Sequence, residues 1–347
     1  MTKRNKSTSP AKQPSAGLGK PRAYMLIMVL VALVLIGVAD LLLWVWTPTL
    51  PNPIATHWGT GTSPNGFESP LSFILTISVI MGATVFLLGA IGFSASRSAV
   101  AVQVIGGATV FIGAMVLLLV IVSIGPQRGL ADAKEATLSG GAFVLILAVP
   151  AALGLVAALL APKEPPVSDA AAPPPPDAVR ADLAPDEEFL WIGKTSVRPG
   201  FLWGSTIAFV VIFGGVAAAS GIWALALFAL LPLVLMFSLA SFTVQISQAG
   251  LFVTSPIGWP KRTITSAQIE QASAVDVHPL QEFGGWGYRI TIGGAEGIVL
   301  RKGPGIRIEY GANSVLVITL NEGADEAAAL LNTAADWAHQ EDSEGGA

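Results

Sequence analysis

Long apolar runs dominate the chain up to about residue 240, and alternating apolar and polar positions dominate the rest. A helix that crosses the ~30 Å hydrocarbon core of a bilayer needs about 20 apolar residues. Six runs meet or approach that length and predict membrane-spanning helices: 24–46, 71–93, 99–124, 141–161, 201–219 and 222–240. The last two adjoin at Ser220 and Gly221, which predicts a tight helical hairpin; one long buried helix is the alternative.

Beyond residue 241 the hydrophobic period changes to two, which is typical of strands with one buried face. The predicted strands are 242–247, 251–254, 288–292, 296–302, 306–310 and 313–320, with Gly303, Pro304 and Gly305 as a turn. The closing segment 324–339 has helical spacing, and its apolar face comprises Ala327, Leu330, Leu331, Ala334 and Trp337. The predicted fold class is an α-helical membrane protein with about six transmembrane helices. It also has a small β-barrel or sandwich of antiparallel strands, capped by a C-terminal helix.

Composition divides the chain into successive parts. We predict a disordered basic tail, a four-helix membrane domain with an outer loop at 47–70, a Pro/Ala-rich linker, a short strand with a transmembrane hairpin, a cytoplasmic β-rich domain, and a second disordered tail. Their bounds are 1–22, 23–161, 162–187, 188–240, 241–339 and 340–347. Because Pro173–Pro176 favours extended polyproline II structure, the linker is expected to bury nothing.

The composition and the charge distribution support this membrane assignment. Hydrophobic residues make up 52% of the chain and charged residues only 12%, against roughly a quarter in soluble proteins. Residues 1–22 contain several Lys and Arg residues and no acidic residue, whereas the loop 47–70 contains neither Lys nor Arg. Since basic segments beside the membrane stay in the cytoplasm, we expect a multi-pass plasma-membrane protein with a cytoplasmic N-terminus and C-terminal domain.

The residue types argue against catalysis. The absence of cysteine excludes disulfides and thiolate chemistry, and the three histidines lie far apart in the sequence. No nucleophile elbow, His-Glu-x-x-His motif or phosphate-binding loop is present. The glycines at 284, 285 and 287 lie between predicted strands and indicate a turn. We therefore predict no enzymatic activity, no metal and no cofactor. Because the soluble part has no excess of basic residues, we also predict no nucleic-acid binding.

The outer loop after the first helix carries the most specific pattern in the chain. Its characteristic positions are Pro51, Ile54, His57 and Trp58, followed by Pro64, Asn65, Gly66 and Phe67. In order and spacing this loop resembles the family catalogued as domain of unknown function 1648, over roughly residues 24–125. Ala55 and Gly59 depart from the family pattern, which usually has Pro and Asn there. The same domain occurs in membrane immunity proteins that protect against a secreted sporulation-delay peptide toxin, so the resemblance implies an immunity or signalling role.

Two interpretations of the loop stay open. In the first, His57 hydrogen-bonds a backbone carbonyl and holds a compact cap over the helices. In the second, His57 acts with Glu68 and Asp40 to bind a cation, a proton or a peptide at the outer face. Asp40 is the acidic residue inside a predicted span, and carboxylates within membranes often mark functional sites.

The β-rich part resembles a bacterial pleckstrin-homology-like domain, over residues 188–194 and 241–338. That resemblance implies either recognition of lipid headgroups or a structural and partner-docking role. The basic pairs Lys261–Arg262 and Arg301–Lys302 would serve the first role, and otherwise form solvated turns or face an anionic leaflet.

Together these features favour a non-catalytic bacterial membrane protein for envelope sensing, peptide-toxin immunity or scaffolding. The expected partners are the lipid bilayer, an extracellular peptide or envelope component, a cytoplasmic protein and a second copy of the chain. The alternative is an ion-coupled small-molecule transporter or its accessory subunit. Pro150 and Pro232, each inside a predicted span, would break helices as transporters often do.

Overall fold

The computed structural model describes residues 20–59, 62–96, 98–162, 171–184, 187–220, 230–291, 294–311 and 314–345. Within them, five helices are long and apolar enough to cross a membrane. The first four form a bundle: α1 (Lys20–Trp46), α2 (Pro70–Ser94), α3 (Ala99–Leu119) and α4 (Gly140–Leu159). The fifth is α5 (Pro199–Ser220). The multi-pass architecture predicted from the apolar runs is thus present in the described residues.

Serine residues determine where three of the bundle helices begin. The hydroxyls of Ser69, Ser98 and Ser139 accept hydrogen bonds from backbone N–H groups in the first turns of α2, α3 and α4. Such caps satisfy donors that have no partner within the helix. At its other end α3 changes to a π-helical turn, Val120–Ile124, and then to a 3₁₀ turn, Gly125–Gln127.

Glycines let the bundle helices approach closely. A Cβ atom added at Gly113 of α3 would lie 2.7 Å from the Cα of Ala32 in α1. One added at Gly107 would lie 2.7 Å from the carbonyl oxygen of Gly154 in α4. Membrane helices associate largely through such close packing, since lipid tails are as apolar as the side chains. Pro150 lies inside α4 without ending the helix.

The outer loop folds as a β-hairpin, which the sequence analysis did not predict. Strand β1 (Ile54–Trp58) pairs antiparallel with β2 (Pro64–Glu68), with register irregularities on either side of His57. Its base is buried, because Ile54 belongs to the bundle core together with residues of α1, α2 and α3. The hairpin is therefore an integral part of the four-helix unit.

The predicted sixth span is described only in part, as α6 (Leu230–Leu239), which contains Pro232. The chain nevertheless reverses direction between α5 and α6, because Ser196 pairs with Ser241 in adjacent antiparallel strands. This pairing supports the helical hairpin over one long helix. Residues 221–229 lie outside the described residues.

The C-terminal module contains two sheets and no closed barrel among its described strands. The first sheet has the order β3 (Leu190–Ser196), β4 (Ser241–Ser247), β5 (Gly250–Thr254), β6 (Lys261–Thr265), all antiparallel. The second has the order β7 (Ile269–Val277), β10 (Gly303–Tyr310), β11 (Ser314–Thr319), β9 (Glu296–Val299), β8 (Gly287–Ile290).

Several details of the predicted module were wrong. Strands β6 and β7 were not predicted, and β9 pairs parallel with β11 rather than antiparallel. Gly303–Gly305 opens β10 instead of forming a turn, because β7 supplies a partner along its full length. A short helix, α7 (Pro279–Phe283), precedes β8. The last helix, α8 (Ala324–Gly345), continues past residue 339 into the segment predicted to be disordered.

The C-terminal helix completes the module core, as its apolar spacing predicted. Ala327, Leu330, Leu331 and Ala334 are buried, and Trp337 packs edge-on against the ring of Phe189 at 5.9 Å. The core contains apolar residues from both sheets and from α8, so the three elements share one hydrophobic interior. Burial of such a helix face, worth about 25 cal/mol per Å² of apolar area, holds the two sheets together.

The described part of the linker packs on α8, contrary to the expectation that it buries nothing. Ala181 and Leu183 lie against the module core. Arg180 forms an ion pair with Asp336, and the Thr333 hydroxyl accepts a hydrogen bond from the backbone N–H of Ala181. Residues 171–184 are therefore part of the folded module, because α8 offers polar partners that the linker sequence does not reveal. Residues 163–170 lie outside the described part.

The hairpin and the sheet module lie at opposite ends of the four-helix bundle. The hairpin packs at the end where α1 finishes and α2 starts, whereas Gln103, near the start of α3, contacts Trp259 of the module. Tyr24 at the start of α1 belongs to that second end, since it packs with residues at the start of α3. The helices therefore place the two soluble elements on opposite sides of the apolar layer.

Candidate functional site

His57 and Asn65 face each other across the outer hairpin. Nδ1 of His57 lies 2.6 Å from Oδ1 of Asn65, and both side chains are exposed. Gly66 stands opposite His57 in the strand register, and a Cβ atom there would lie 2.8 Å from the His57 Cβ. The loop pattern seen in the sequence thus has a local physical basis, because the small residue makes room for the imidazole and the amide orients it.

The other loop positions divide into buried anchors and exposed residues. Pro51 and Ile54 are buried, and Trp58 Nε1 donates to the carbonyl of Ala136 at 3.4 Å. Pro64 is half-buried, whereas Phe67 is 38% exposed. The hairpin therefore offers a surface formed by His57, Asn65 and Phe67 on an anchored base.

A buried glutamine fastens this hairpin to the end of α3. Oε1 of Gln127 accepts a hydrogen bond from the backbone N–H of Ala55 at 2.8 Å, and Nε2 donates to the Ala55 carbonyl at 2.8 Å. Nε2 also donates to the carbonyl of Ser123, in the π-helical turn. Gln127 thus bonds β1 as a neighbouring strand would, and π-helical turns often occur at functional sites.

Asp40 and Glu68 form separate polar contacts, each with a serine of α2. Ser78 Oγ donates to Oδ2 of Asp40 at 2.8 Å, and Ser72 Oγ donates to Oε1 of Glu68 at 2.8 Å. Of the contacts the structure describes for these residues, none joins either carboxylate to His57. Among the described residues, no group of three or more His, Asp or Glu side chains is placed to hold a metal ion.

The module contains a buried charged cluster that the sequence analysis did not single out. Arg262 and Glu296, which are 6% and 4% exposed, form an ion pair at 4.0 Å. The Tyr288 hydroxyl donates to Oε2 of Glu296 at 2.7 Å, and Arg262 donates to the hydroxyl of Tyr310. A buried ion pair is tolerated only when further hydrogen bonds satisfy it, and the two tyrosines supply them.

Burial controls the protonation of this cluster. It raises the pKa of Tyr288 above its usual range, and the neighbouring Glu296 raises it further. Burial also raises the pKa of Tyr310, against the opposing effect of Arg262. Burial alone would lower the pKa of Arg262, but Glu296 and Tyr310 outweigh it and the net shift is upward. Both tyrosines therefore stay neutral and Arg262 stays charged at physiological pH.

This cluster reaches the helical bundle through Tyr288. Tyr288 lines a cleft together with residues of α2 and α3, and the Ser98 side chain at the start of α3 lowers the pKa of Tyr288 against the effect of burial. Nearby, Trp259 Nε1 donates to Oε1 of Gln103 at 3.2 Å, a bond between the module and α3. A cleft of about 650 Å³ lies beside these contacts, lined by apolar residues of α2, α3 and α6 and by Arg289 of the module.

Sequence reasoning missed the residues that connect these elements. Gln127, Ser78 and Tyr288 act through partners that are remote in sequence. One available signal was that Gln127 is a polar residue at the end of an apolar run. An amide side chain at the depth of the membrane needs hydrogen-bond partners. Nothing in the local pattern identified its partner as Ala55.

The chain matches no protein-family model, no curated protein and no solved structure. The two family resemblances seen in the sequence therefore stay predictions.

Proposed function

We propose that this chain is a non-catalytic membrane protein for envelope sensing, with peptide-toxin immunity as the specific form that the loop resemblance favours. The outer hairpin is the receptive element, and the sheet module, on the cytoplasmic side, docks a protein partner. One observation carries the proposal: the α3 segment is bonded to the hairpin through Gln127 at one end and to the module through Gln103 at the other.

The bonds at the two ends of α3 give the proposal a physical route. At the outer end, Gln127 holds the backbone of Ala55 in the hairpin. At the inner end, Gln103 accepts a hydrogen bond from Trp259 of the module. A ligand that shifts the hairpin changes the position of α3, and so changes the contacts on which the module rests. In this proposal the contacts have two arrangements in equilibrium. A ligand can shift that equilibrium only if it binds one arrangement more tightly than the other.

The hairpin surface suits a peptide ligand. His57 and Asn65 offer polar groups, and Phe67, two residues after Asn65 in β2, offers an exposed ring. A peptide that lies in the bilayer surface can reach all three, because the hairpin emerges where α1 ends and α2 begins. The proposed pleckstrin-homology-like character of the module agrees with a docking role, which requires a surface and no catalytic group.

The test is a gene-deletion strain challenged with membrane-active peptides and complemented with wild-type, His57→Ala or His278→Ala protein. His278→Ala is the matched control, because it removes an exposed imidazole from the module instead of the hairpin. We expect the wild type and His278→Ala to protect, and His57→Ala to fail at equal expression. Equal protection by all three proteins would refute the hairpin as receptive element.

An ion-coupled transporter is the second candidate, favoured by the bond between Asp40 of α1 and Ser78 of α2. A carboxylate between two spans can bind a proton or cation. Here the purified chain would show an ion-dependent flux in proteoliposomes. Asp40→Asn abolishes this flux, whereas Asp132→Asn, in the segment between α3 and α4, does not. A wild-type protein without flux across a panel of cations and amphiphilic amines would exclude this candidate.

A further inference from the structure

Arg198 and the adjacent pair Arg301–Lys302, which lies far from it in the sequence, line one apolar pocket beside α5. Arg198 precedes the helix, whereas Arg301 and Lys302 follow β9 in the module. The pocket has a volume of about 270 Å³, and Phe201 and Trp286 form part of its wall. Only the tertiary fold brings Arg198 close to Arg301 and Lys302, because about a hundred residues separate it from that pair in the chain.

The pocket lies where a membrane span begins. Arg198 immediately precedes Pro199, the first residue of the apolar span in α5. Phe201 and Trp203 in the first turn of that span are 71% and 58% exposed, and Trp286 of the module is 49% exposed. Aromatic side chains in such positions occupy the boundary between lipid and water. The pocket therefore opens at the depth of the lipid headgroups.

The charge around the pocket has one sign. Among the described residues that line it, three are basic and none is acidic. Asn321 accepts a hydrogen bond from Arg301 at 3.0 Å, which orients the guanidinium. Such a cluster attracts anions, and guanidinium groups bind phosphate oxygens with paired hydrogen bonds.

We propose that this pocket binds one anionic phospholipid from the leaflet that meets the module. Arg198, Arg301 and Lys302 contact the headgroup phosphates, and an acyl chain lies along Phe201 and Trp286. Free phosphate shares the headgroup chemistry, but it would leave the aromatic wall without a partner. The position at the start of a span and the apolar wall both favour the lipid. The proposal is independent of the hairpin, so it stands or falls separately from the sensing function.

The experiment uses the full chain, purified in a neutral detergent and delipidated. Native mass spectrometry measures binding of phosphatidylglycerol and of phosphatidylcholine with the same acyl chains. We compare the wild type with the triple variant Arg198→Gln, Arg301→Gln, Lys302→Gln. The matched control is Lys134→Gln, Lys194→Gln, Lys261→Gln, which removes the same charge from exposed positions outside the pocket.

We expect the wild type and the control to prefer phosphatidylglycerol. The pocket variant should bind it roughly 100-fold more weakly, since each of its three missing interfacial cations contributes about a factor of five. Trp286→Ala, which leaves all charges in place, should weaken binding of both lipids. Millimolar inorganic phosphate should not displace the lipid. Equal loss in the pocket and control variants, unchanged binding in the pocket variant, or displacement by phosphate alone would each overturn the proposal.

Discussion

The side chain of Gln127 bonds both backbone polar groups of Ala55, 72 residues earlier in the chain, with two hydrogen bonds of 2.8 Å. Ala55 is fully buried and Gln127 is 1% exposed, so water does not compete for these bonds. The amide thereby does for β1 what a third strand would do. It also makes the position of the outer hairpin depend on the π-helical end of α3, where Gln127 itself bonds Ser123.

Removing the two hydrogen bonds between Gln127 and Ala55 should release the hairpin. Gln127→Ala leaves the buried N–H and C=O of Ala55 without partners, at a cost of roughly 1–3 kcal/mol for each group. We expect faster amide hydrogen exchange in residues 54–58 of the detergent-solubilised protein, with α2 unaffected. Gln281→Ala, at an exposed position in the module, is the control. An unchanged rate of amide hydrogen exchange at Ala55 in Gln127→Ala would show that these two hydrogen bonds do not hold β1 in place.

Two glycines of the bundle should respond very differently to an added methyl group. Gly113→Ala would place a Cβ 2.7 Å from the backbone of Ala32 and force α1 and α3 apart, at about 1–3 kcal/mol. Gly82→Ala meets nothing within 4 Å and, being helical, should be neutral or slightly stabilising. Thermal unfolding in detergent distinguishes them. Equal midpoints for the two variants would contradict the packing described for Gly113.

Tyr288 should make the stability of the module depend on alkaline pH. Burial raises its pKa above the ordinary value near 10, so its stabilising effect is complete below pH 10 and declines as the pH rises further. Tyr288→Phe should lower stability by roughly 1–2 kcal/mol at pH 7, through the lost bond to Glu296. It should also flatten the decline in stability above about pH 10.

The measurement is thermal unfolding of the full chain, followed by tryptophan fluorescence at several pH values. The stability of Tyr288→Phe should still decline somewhat with rising pH, because the pKa of Tyr310 is also raised. Tyr24→Phe, in the bundle, should leave the module transition with the wild-type slope. A Tyr288→Phe profile parallel to that of the wild type up to pH 11 would rule out this linkage.

The docking of the linker on α8 should depend on Arg180. Its guanidinium pairs with Asp336 and donates to carbonyls of the proline run, including that of Pro175. Because this pair is partly exposed, Arg180→Ala should accelerate proteolysis within 171–184 by only about 2- to 5-fold.

Arg307→Ala serves as the control for this substitution. Arg307 forms an ion pair with Glu309 inside β10, far from the linker in the sequence. Breaking that ion pair should leave the rate of linker proteolysis unchanged. If both variants were cleaved at the wild-type rate, packing of Ala181 and Leu183 rather than the ion pair would hold the linker.

The sequence by itself determined the features that depend on local pattern. Apolar runs of sufficient length predicted six spanning helices, of which the described residues contain five that are long and apolar enough. Alternation predicted strands such as β4 and β5. The sequence predicted which residues form the apolar face of α8, because helical spacing alone places Ala327, Leu331 and Ala334 on one side.

The tertiary structure alone decided how these elements pair. The parallel contact of β9 with β11, the strand character of Gly303–Gly305 and the docked linker all depend on a partner that is distant in the chain. The candidate site follows the same rule. The loop pattern identified His57 and Asn65, but only folding brought Gln127 to Ala55, because a buried backbone group must find a polar partner and local spacing does not say where that partner is.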